Sequence, residues 1–311
     1  MTTTQLRSPA RRPRHRRKHI LVGGQPLPSP GASVIKAVFF GIACALVIMP
    51  FVAIISTSMA PPEQISRAGG LVLFPEQLDL SAYEAILSGG IVTRALGISI
   101  FITVCGTLLS LTVTSLFAYT LTRKGLPYRR LLTILVIVSL FFSPGLLPMY
   151  LAVQSYGLID SLAAVIVPTA LSGFNVIVLR SFFGSIPPDL LEAAEIDGAS
   201  ELQILTKVVL PLSKAALAVI GLFYAVGYWN SFFSALLYLN DSSMWPLQLV
   251  LRTYVVDDTS ITGYDLAADA IPAQASLQMA ILVISVVPIL LVYPWLQKHF
   301  AKGALTGAIK G

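Results

Sequence analysis

The sequence predicts an all-α membrane protein with six transmembrane helices and both termini on the cytoplasmic side. Hydrophobic residues make up 55% of the chain and charged residues only 12%, and the mean hydropathy of +0.79 lies outside the range of soluble globular domains. Six stretches contain no Asp, Glu, Lys or Arg, and each is long enough to cross a hydrocarbon core as a helix. These stretches are residues 37–55, 95–122, 131–159, 161–179, 215–240 and 270–297.

The distribution of basic residues predicts the orientation of these spans. With both termini in the cytoplasm, every Lys and Arg except Arg67, Arg94 and Arg252 lies on the inner side, as the positive-inside rule requires. The net charge of +6 therefore indicates membrane topology and gives no reason to expect nucleic acid as a partner. We expect a multi-pass protein of the plasma (inner, cytoplasmic) membrane, in contact with lipid.

Residues 1–33 are predicted to form a disordered, basic cytoplasmic tail, followed by a transmembrane domain over residues 34–311. The run from Arg11 to Lys18 is also typical of a nucleic-acid patch or a targeting signal. Its prolines and its lack of apolar periodicity favour a disordered tail that anchors the topology and touches anionic lipid. The first apolar stretch exceeds the core of a cleavable signal, so we interpret it as a retained span.

The sequence offers no recognisable catalytic or metal-binding apparatus. Cys44 and Cys105 lie inside predicted spans and are interpreted as packing residues. The three histidines have no partner at metal-ligand spacing, and phosphate-binding loops and nucleophile elbows are absent. We expect no bound cofactor and no enzymatic activity. Acids and bases are also absent from the depths of the spans, which argues against an ion-driven carrier, so uphill transport would take its energy from another subunit.

Small and polar side chains in the second span indicate helix packing. Polar and aromatic side chains in the fourth and fifth spans allow two interpretations. The second span carries small residues on one face, at a spacing that lets helices approach closely: Ser99, Thr103, Gly106, Ser110 and Thr114. The fourth and fifth spans offer amide and aromatic side chains, which suit the hydroxyl edges and apolar faces of a sugar: Asn175, Tyr224, Tyr228, Trp229 and Asn230. These five residues either line a substrate pathway or pack as satisfied polar groups.

The polar loop of residues 184–212 contains residues that typically begin and end the helices of a helix–turn–helix. Pro188 can occupy the first turn of a helix, and Gly198 fits the left-handed position that follows a helix. Ser200 and Gln203 have the spacing of a capping box, which begins a second short helix, and Leu210-Pro211 is predicted to end it. The loop is interpreted as a docking element for a groove on a partner, with a merely solvated loop as the alternative.

The loop also contains a specific residue pattern. Glu-Ala-Ala, three residues, Gly, nine residues, an aliphatic residue, one residue and Leu-Pro are met by Glu192, Ala193, Ala194, Gly198, Val208, Leu210 and Pro211. This resembles the EAA loop of permease subunits in binding-protein-dependent ABC importers, with Val208 in place of the usual isoleucine. Asp197, Ala199 and residues 212–230 are similar to the maltose-type carbohydrate permeases. Residues 245–252 and 297–311 are similar to their subgroup for complex or acidic oligosaccharides, and the resemblance covers residues 35–311.

The resemblance implies a type I ABC importer permease that forms half of a translocation pathway for a sugar or oligosaccharide. It implies three partners: a second permease subunit, expected to be a different chain; a cytoplasmic ABC ATPase dimer, which uses ATP and Mg; and an extracellular sugar-binding protein. Glu192 would pair with a basic group of the ATPase, Ala193 and Ala194 would allow close approach, and the outer loop 240–276 would contact the binding protein. We call residues 184–212 the coupling loop.

Other functions stay open at this level. An importer for a different solute, such as phosphate or a polyamine, could carry a similar loop, although a polyamine would be expected to need buried acids, which the spans lack. A membrane scaffold or receptor could use the loop to recruit a cytosolic signalling protein. A membrane-embedded enzyme fits least well, because the spans offer no catalytic carboxylate, histidine or metal ligand.

Overall fold

The computed structural model describes residues 21–22, 25–26, 30–123, 125–257, 259 and 272–308, with the backbone alone at residues 21–22, 25–26, 30, 32 and 295–308. The chain divides into two compact units, residues 1–52 and 53–311. The described part of the first unit holds two antiparallel two-residue strands, β1 (Leu21–Val22) and β2 (Gln25–Pro26), and the start of helix α1 (Pro30–Ser58). The helix begins inside the predicted tail of residues 1–33, of which residues 1–20 lie outside the described part.

The described residues of the second unit are helical, connected by short turns. Its helices are α2 (Pro62–Ala68), α3 (Ser81–Leu87), α4 (Ile91–Thr122), α5 (Arg129–Phe141), α6 (Leu146–Ser155), α7 (Leu162–Ile166), α8 (Gly173–Gly184), α9 (Pro188–Ile196), α10 (Glu201–Ile204), α11 (Leu210–Leu212), α12 (Lys214–Trp229), α13 (Phe232–Tyr238), α14 (Leu247–Leu251) and α15 (Gln274–Ala308). Short 3-10 turns cover Val167–Thr169 and Ser242–Met244, and π-helical turns cover Leu205–Val209 and Arg252–Val256.

Three described helical segments are individually long and apolar enough to cross a membrane: Ser33–Ser58, Ile91–Thr122 and Gln274–Pro294. Two bent pairs reach the same length and apolarity only when each counts as one span: Leu162–Thr169 with Gly173–Gly184, and Glu201–Leu212 with Lys214–Trp229. The described residues therefore supply three to five candidate spans. Apart from the two-residue strands β1 and β2, the described residues confirm a helical membrane fold, and the number six stays a prediction.

Three of the six charge-free stretches are divided or bent rather than forming single straight helices. The third stretch divides into α5 and α6 at Pro144 and Gly145, because proline disrupts a helix and Gly145 has a positive φ of 82°. The fourth stretch bends by 50° between Thr169 and Gly173, and the fifth breaks between α12 and α13. Broken helices are tolerated in membranes where neighbouring side chains satisfy the freed backbone groups.

Helix α4 packs against α8, α12 and α14. Four of its five predicted small residues are buried: Ser99, Gly106, Ser110 and Thr114. The hydroxyl of Ser99 accepts a hydrogen bond from the backbone N–H of Leu247 at 2.8 Å, and Gly106 lies against the ring of Tyr228. This face therefore serves helix packing, as predicted. The fifth residue, Thr103, has a buried hydroxyl without a partner among the described residues.

Asp160 fixes the turn before α7 to the end of α13. It adopts a positive φ of 61°, and its Oδ1 accepts hydrogen bonds from the backbone N–H groups of Asn240 at 2.9 Å and Asp241 at 3.0 Å. The backbone N–H of Asp160 donates to the carbonyl of Tyr238 at 2.7 Å. The predicted outer loop 240–276 starts at this contact, and its residues 258 and 260–271 lie outside the described part.

Candidate functional site

The first helix of the coupling loop begins and ends as the sequence predicts. Helix α9 starts with Pro188 in its first turn, where the missing N–H of proline costs nothing. It ends at Ile196, and Gly198 adopts the left-handed conformation with φ 77°. The backbone N–H of Gly198 donates to the carbonyl of Glu195 at 3.0 Å. Glycine therefore closes this helix end in the way its freedom at positive φ allows.

The second helix of the coupling loop begins with the predicted capping box. The backbone N–H of Ser200 donates to the side chain of Gln203 at 2.9 Å, and the N–H of Gln203 donates to Ser200 Oγ at 3.4 Å. Leu210-Pro211 lies at the end of this helical segment, which runs from Glu201 to Leu212, so the predicted end is confirmed to within one residue. The chain continues through a π-helical turn into α11, where Pro211 lies in the first turn and its missing N–H is tolerated. The 86° bend follows before α12.

The coupling loop packs one face on the membrane domain and exposes the other. Leu191, Ala194 and Ala199 pack against a buried cluster formed by residues of α4, α8 and α12 together with residues 204, 205 and 209 of the loop itself. The opposite face exposes four predicted coupling residues: Glu192, Ala193, Asp197 and Gly198. Val208 and Leu210 are half-buried and Pro211 is exposed. The exposed surface thus combines small side chains with carboxylates, which permits close approach by a partner with basic groups.

Arg123, directly after the end of α4, binds both helices of the coupling loop. Its Nε and Nη2 donate to Glu201 Oε1 at 3.0 and 2.6 Å, and Nη2 also donates to Glu195 Oε1. Tyr119, one turn earlier on α4, donates its hydroxyl to Glu201 Oε2. The guanidinium lies 5.5 Å from the centre of the Tyr119 ring, within the range of a cation–π interaction.

This network shifts the pKa values of Arg123 and Glu201. Burial alone would lower the pKa of the Arg123 guanidinium, but hydrogen bonds to Glu201 and Glu195 outweigh it and raise the pKa. Burial alone would raise the pKa of the Glu201 carboxyl, but hydrogen bonds from Tyr119 and Arg123 lower it. Both shifts favour the charged forms, so the network is an ion-paired one at neutral pH.

Sequence analysis did not identify this network. Arg123 was interpreted only as an inner-side basic residue, and Glu195 and Glu201 only as acids of a polar loop. The two carboxylates lie 72 and 78 residues from Arg123 in the chain, so no local pattern could pair them. The only available signal was an arginine placed directly after a charge-free stretch, on the side where the loop was predicted.

A cavity of about 640 Å³ lies beside α8, α12 and α13. Aromatic side chains form much of its wall: Phe174, Phe223, Tyr224, Tyr228, Phe232 and Phe233. Hydroxyl and amide residues complete it: Thr169, Ser172, Asn175, Asn230, Ser231 and Ser234. Among the described residues, no charged side chain lines this cavity. The wall therefore presents apolar ring faces together with neutral hydrogen-bonding groups.

The predicted pathway residues divide into three kinds of environment. Tyr224 and Tyr228 line the cavity, but their hydroxyls are engaged: Tyr224 with Thr114 at 2.7 Å, and Tyr228 with Ser110 at 2.8 Å. Asn230 lines the cavity, is exposed, and donates its amide to the carbonyl of Val226 at 2.9 Å. Trp229 points elsewhere, and donates its indole N–H to the carbonyl of Ser285 at 3.0 Å.

Asn175 differs from these residues. It is only 5% exposed and lines the cavity, and its side-chain amide has no hydrogen-bond partner in the described part of the chain. Its amide atoms are not among the buried side-chain atoms that lack a partner, so the amide opens to the cavity, where it can bind a ligand or water. The structure thus brings Asn175, Tyr224, Tyr228 and Asn230 together around one cavity and places Trp229 beside a separate apolar groove.

A capped, exposed loop with the EAA pattern, joined to broken apolar helices around a cavity, defines the class of protein: a membrane permease subunit. Residues 32–305 match the family described as binding-protein-dependent transport system inner membrane component, and the chain belongs to this family. This confirms the resemblance that the loop pattern indicated, and the chain is a component of a transport system.

Two sequence relatives align with almost nine tenths of the chain. The sequence is 44% identical over 279 residues to protein LplC of Bacillus subtilis, covering 89% of this chain and 94% of that protein. It is 44% identical over 274 residues to the polygalacturonan/rhamnogalacturonan transport system permease protein YtcP of the same organism, covering 88% and 94%.

A solved structure has the same fold. One chain of a bacterial ABC transporter involved in the import of the acidic polysaccharide alginate superposes with a TM-score of 0.82 at 32% sequence identity. The match covers 89% of this chain and 100% of that chain. The chain therefore shares its fold with a chain of a known importer.

Proposed function

We propose that this chain is a permease subunit of an ATP-driven ABC importer and forms half of the translocation pathway for a sugar or oligosaccharide. The observation that carries the proposal is the cavity with aromatic walls and the amide of Asn175, a mostly buried residue that lines it. Sugar rings present apolar faces to aromatic side chains and hydroxyl edges to amides and hydroxyls. The sugar and polysaccharide substrates named for YtcP and for the alginate importer support the same substrate class.

The coupling loop supplies the connection to an energy source. Glu192, exposed on α9 and without an ion pair in the described part of the chain, is suited to a basic group of a cytoplasmic ATPase. The remaining residues in this role are Ala193, Ala194, Asp197, Gly198, Ala199, Val208, Leu210 and Pro211. ATP and Mg are used in that separate ATPase dimer, and closure of the dimer would move the coupling loop and so change which side of the membrane the cavity faces.

The further parts of the proposal concern topology and partners. Six spans with both termini in the cytoplasm place the coupling loop inside and residues 240–276 outside the plasma membrane, in agreement with the positive-inside rule. Arg123 and the coupling loop lie on one side in this topology, and their ion pairs support that arrangement. The partners are a second, different permease chain, the ATPase dimer, an extracellular sugar-binding protein on the outer loop, and membrane lipid.

The experiment is purification of the chain from its native membrane in mild detergent, followed by ATPase measurement in proteoliposomes. We expect an ATPase, a second permease and a sugar-binding protein to copurify, and hydrolysis to rise when the binding protein is loaded with oligosaccharide. A stimulating solute that is not a sugar would replace the substrate class and keep the importer. Recovery with a signalling protein and no ATPase would replace the importer with a membrane scaffold.

A further inference from the structure

The guanidinium of Arg123 spans the turn between the two helices of the coupling loop. Glu195 is the penultimate residue of α9 and Glu201 the first residue of α10, and Gly198 turns the chain between them. Arg123 donates to both carboxylates. The two helices are also held by apolar packing on their buried side, and the shared cation adds an ionic constraint on their relative position.

Arg123 directly follows the C-terminal end of α4, the helix that packs against α8 and α12 beside the cavity. Its side chain is 23% exposed, so it is partly shielded from solvent and from salt. The Tyr119 ring below it and the Tyr119 hydroxyl on Glu201 form a second attachment one turn away. Networks of several charges retain their geometry better than isolated surface pairs.

Farther along α4, two hydrogen bonds attach the helix to the cavity. Thr114 is bonded to the hydroxyl of Tyr224 at 2.7 Å and Ser110 to the hydroxyl of Tyr228 at 2.8 Å, and both tyrosines line the cavity. Nine residues of helix separate Thr114 from Arg123, about 14 Å at 1.5 Å per residue. Helix α4 is therefore fastened to the coupling loop at one end and to the cavity wall two to three turns away.

We propose that Arg123 is a positioning residue that fastens the coupling loop to α4, so that a displacement of the loop is passed along α4 to the cavity tyrosines. This inference rests on the proposed function, because it concerns how the ATPase and the cavity communicate. It assigns different tasks to the two glutamates of α9. Both carboxylates are exposed and line the same pocket beside Arg123. Glu195 is paired with Arg123 and holds the loop to α4, whereas Glu192 has no ion pair in the described part of the chain and stays available to the partner.

The test uses the complete complex in proteoliposomes and measures oligosaccharide uptake together with ATP hydrolysis. Arg123→Ala should lower the sugar imported per ATP hydrolysed by about fivefold or more, a typical size for a coupling between two sites. Arg123→Lys keeps the charge and loses the fork of donors, and should restore only part of the ratio. Arg130→Ala is the matched control, since Arg130 is an exposed arginine on the same predicted side with no ion pair in the described part of the chain.

A double-mutant cycle separates this role from simple docking. The effects of Arg123→Ala and Glu195→Gln on the uptake-to-hydrolysis ratio should be strongly non-additive, because the residues share one contact. The effects of Arg123→Ala and Glu192→Gln should add. Glu192→Gln should also release the ATPase during copurification, whereas Glu195→Gln should retain it.

The outcomes distinguish the inference from the proposed function. If the unaltered complex shows sugar-stimulated hydrolysis and Arg123→Ala keeps the normal uptake-to-hydrolysis ratio, the positioning role is wrong and the importer assignment stands. If the unaltered complex shows no sugar-stimulated hydrolysis, the proposed function fails first. Hydrogen exchange of the purified chain then decides the attachment itself: amides of residues 188–204 must exchange faster in Arg123→Ala than in Arg130→Ala, and equal exchange overturns it.

Discussion

The ring of Tyr228 packs directly on Gly106 of the facing helix. A Cβ placed on Gly106 would lie 2.7 Å from Cε2 of that ring, closer than real contacts allow. The ring cannot easily move away, because its hydroxyl is bonded to Ser110 at 2.8 Å and donates to the carbonyl of Ile166 at 3.0 Å. One glycine thus sets the distance between α4 and α12 beside the cavity.

Gly106→Ala should therefore destabilise the protein by about 1–3 kcal/mol, the usual cost of overpacking. Thermal unfolding of the purified chain in detergent measures this. Gly97→Ala on the same helix is the control, since a Cβ there meets nothing within 4 Å. Equal melting temperatures for the two variants would contradict the close packing of α4 and α12.

Gly198→Ala should strain the turn of the coupling loop and weaken sugar-stimulated ATP hydrolysis. An alanine at φ 77° costs about 1–2 kcal/mol, and a Cβ there meets nothing within 4 Å, so the effect is on the backbone alone. Gly198→Asn should be milder, because asparagine tolerates the left-handed region. Gly184→Ala, at a glycine with open space nearby and no positive φ, should leave hydrolysis unchanged. Similar activity in all three variants would show that the turn geometry is unimportant.

Asn175→Ala should lower the initial rate of oligosaccharide uptake by about fivefold, which corresponds to the loss of one hydrogen bond of about 1 kcal/mol. Stability should change little, because the amide has no partner in the described part of the chain. Gln77→Ala, at an exposed amide outside both the cavity and the outer loop 240–276, is the control for uptake. Unchanged uptake together with a large loss of stability would instead assign Asn175 to packing.

Asp160→Ala should destabilise the fold by about 2 kcal/mol, since two backbone N–H groups lose a charged acceptor and alanine disfavours the positive φ. Asp160→Asn keeps a side-chain oxygen and tolerates that backbone conformation, so the loss should be smaller. Denaturant unfolding of both variants in detergent orders them. An equal loss in the two variants would show that charge alone matters at this turn.

The ion-paired network should make the coupling loop sensitive to acid. The folded-state pKa of Glu201 is lowered, so its contribution to stability is fully present above its unfolded-state pKa of about 4.3. That contribution is lost as the pH falls through the lower folded-state pKa. Unfolding free energies of wild type and Glu201→Gln should therefore differ at about pH 7 and converge in acid. Glu63→Gln, which removes an exposed carboxylate without an ion pair in the described part of the chain, is the control. A difference that persists unchanged in acid would exclude the ionic contribution.

The features that sequence analysis predicted correctly are local ones. Pro188, Gly198 and the Ser200–Gln203 capping box each act on backbone within four residues, so their spacing alone predicted the two helices of the coupling loop. The apolar spans could also be predicted from local sequence, because burial in lipid requires a continuous run of uncharged residues.

The features that it missed depend on distant partners. Arg123 acquires its role only when folding brings it to Glu195 and Glu201, and the cavity amide of Asn175 is distinguished only by what surrounds it. The break between Thr169 and Gly173 was also hidden, because an uncharged stretch looks the same whether its helix is straight or bent. The break is stabilised by hydrogen bonds to the hydroxyls of Tyr224 and Tyr228, which belong to α12, a helix that begins more than 40 residues later in the chain.

Those two tyrosine hydroxyls restrict how this sequence can change over time. Tyr224 accepts a hydrogen bond from the backbone N–H of Ser172 at 3.0 Å, and Tyr228 donates to the carbonyl of Ile166. Both hydroxyls therefore form hydrogen bonds with main-chain groups next to the break, which lipid cannot do. Replacement by phenylalanine becomes acceptable only after the break closes into regular helix, which would reshape the cavity wall. Diversification of substrate preference in such a lineage must then begin with the other wall residues, while the tyrosines stay fixed.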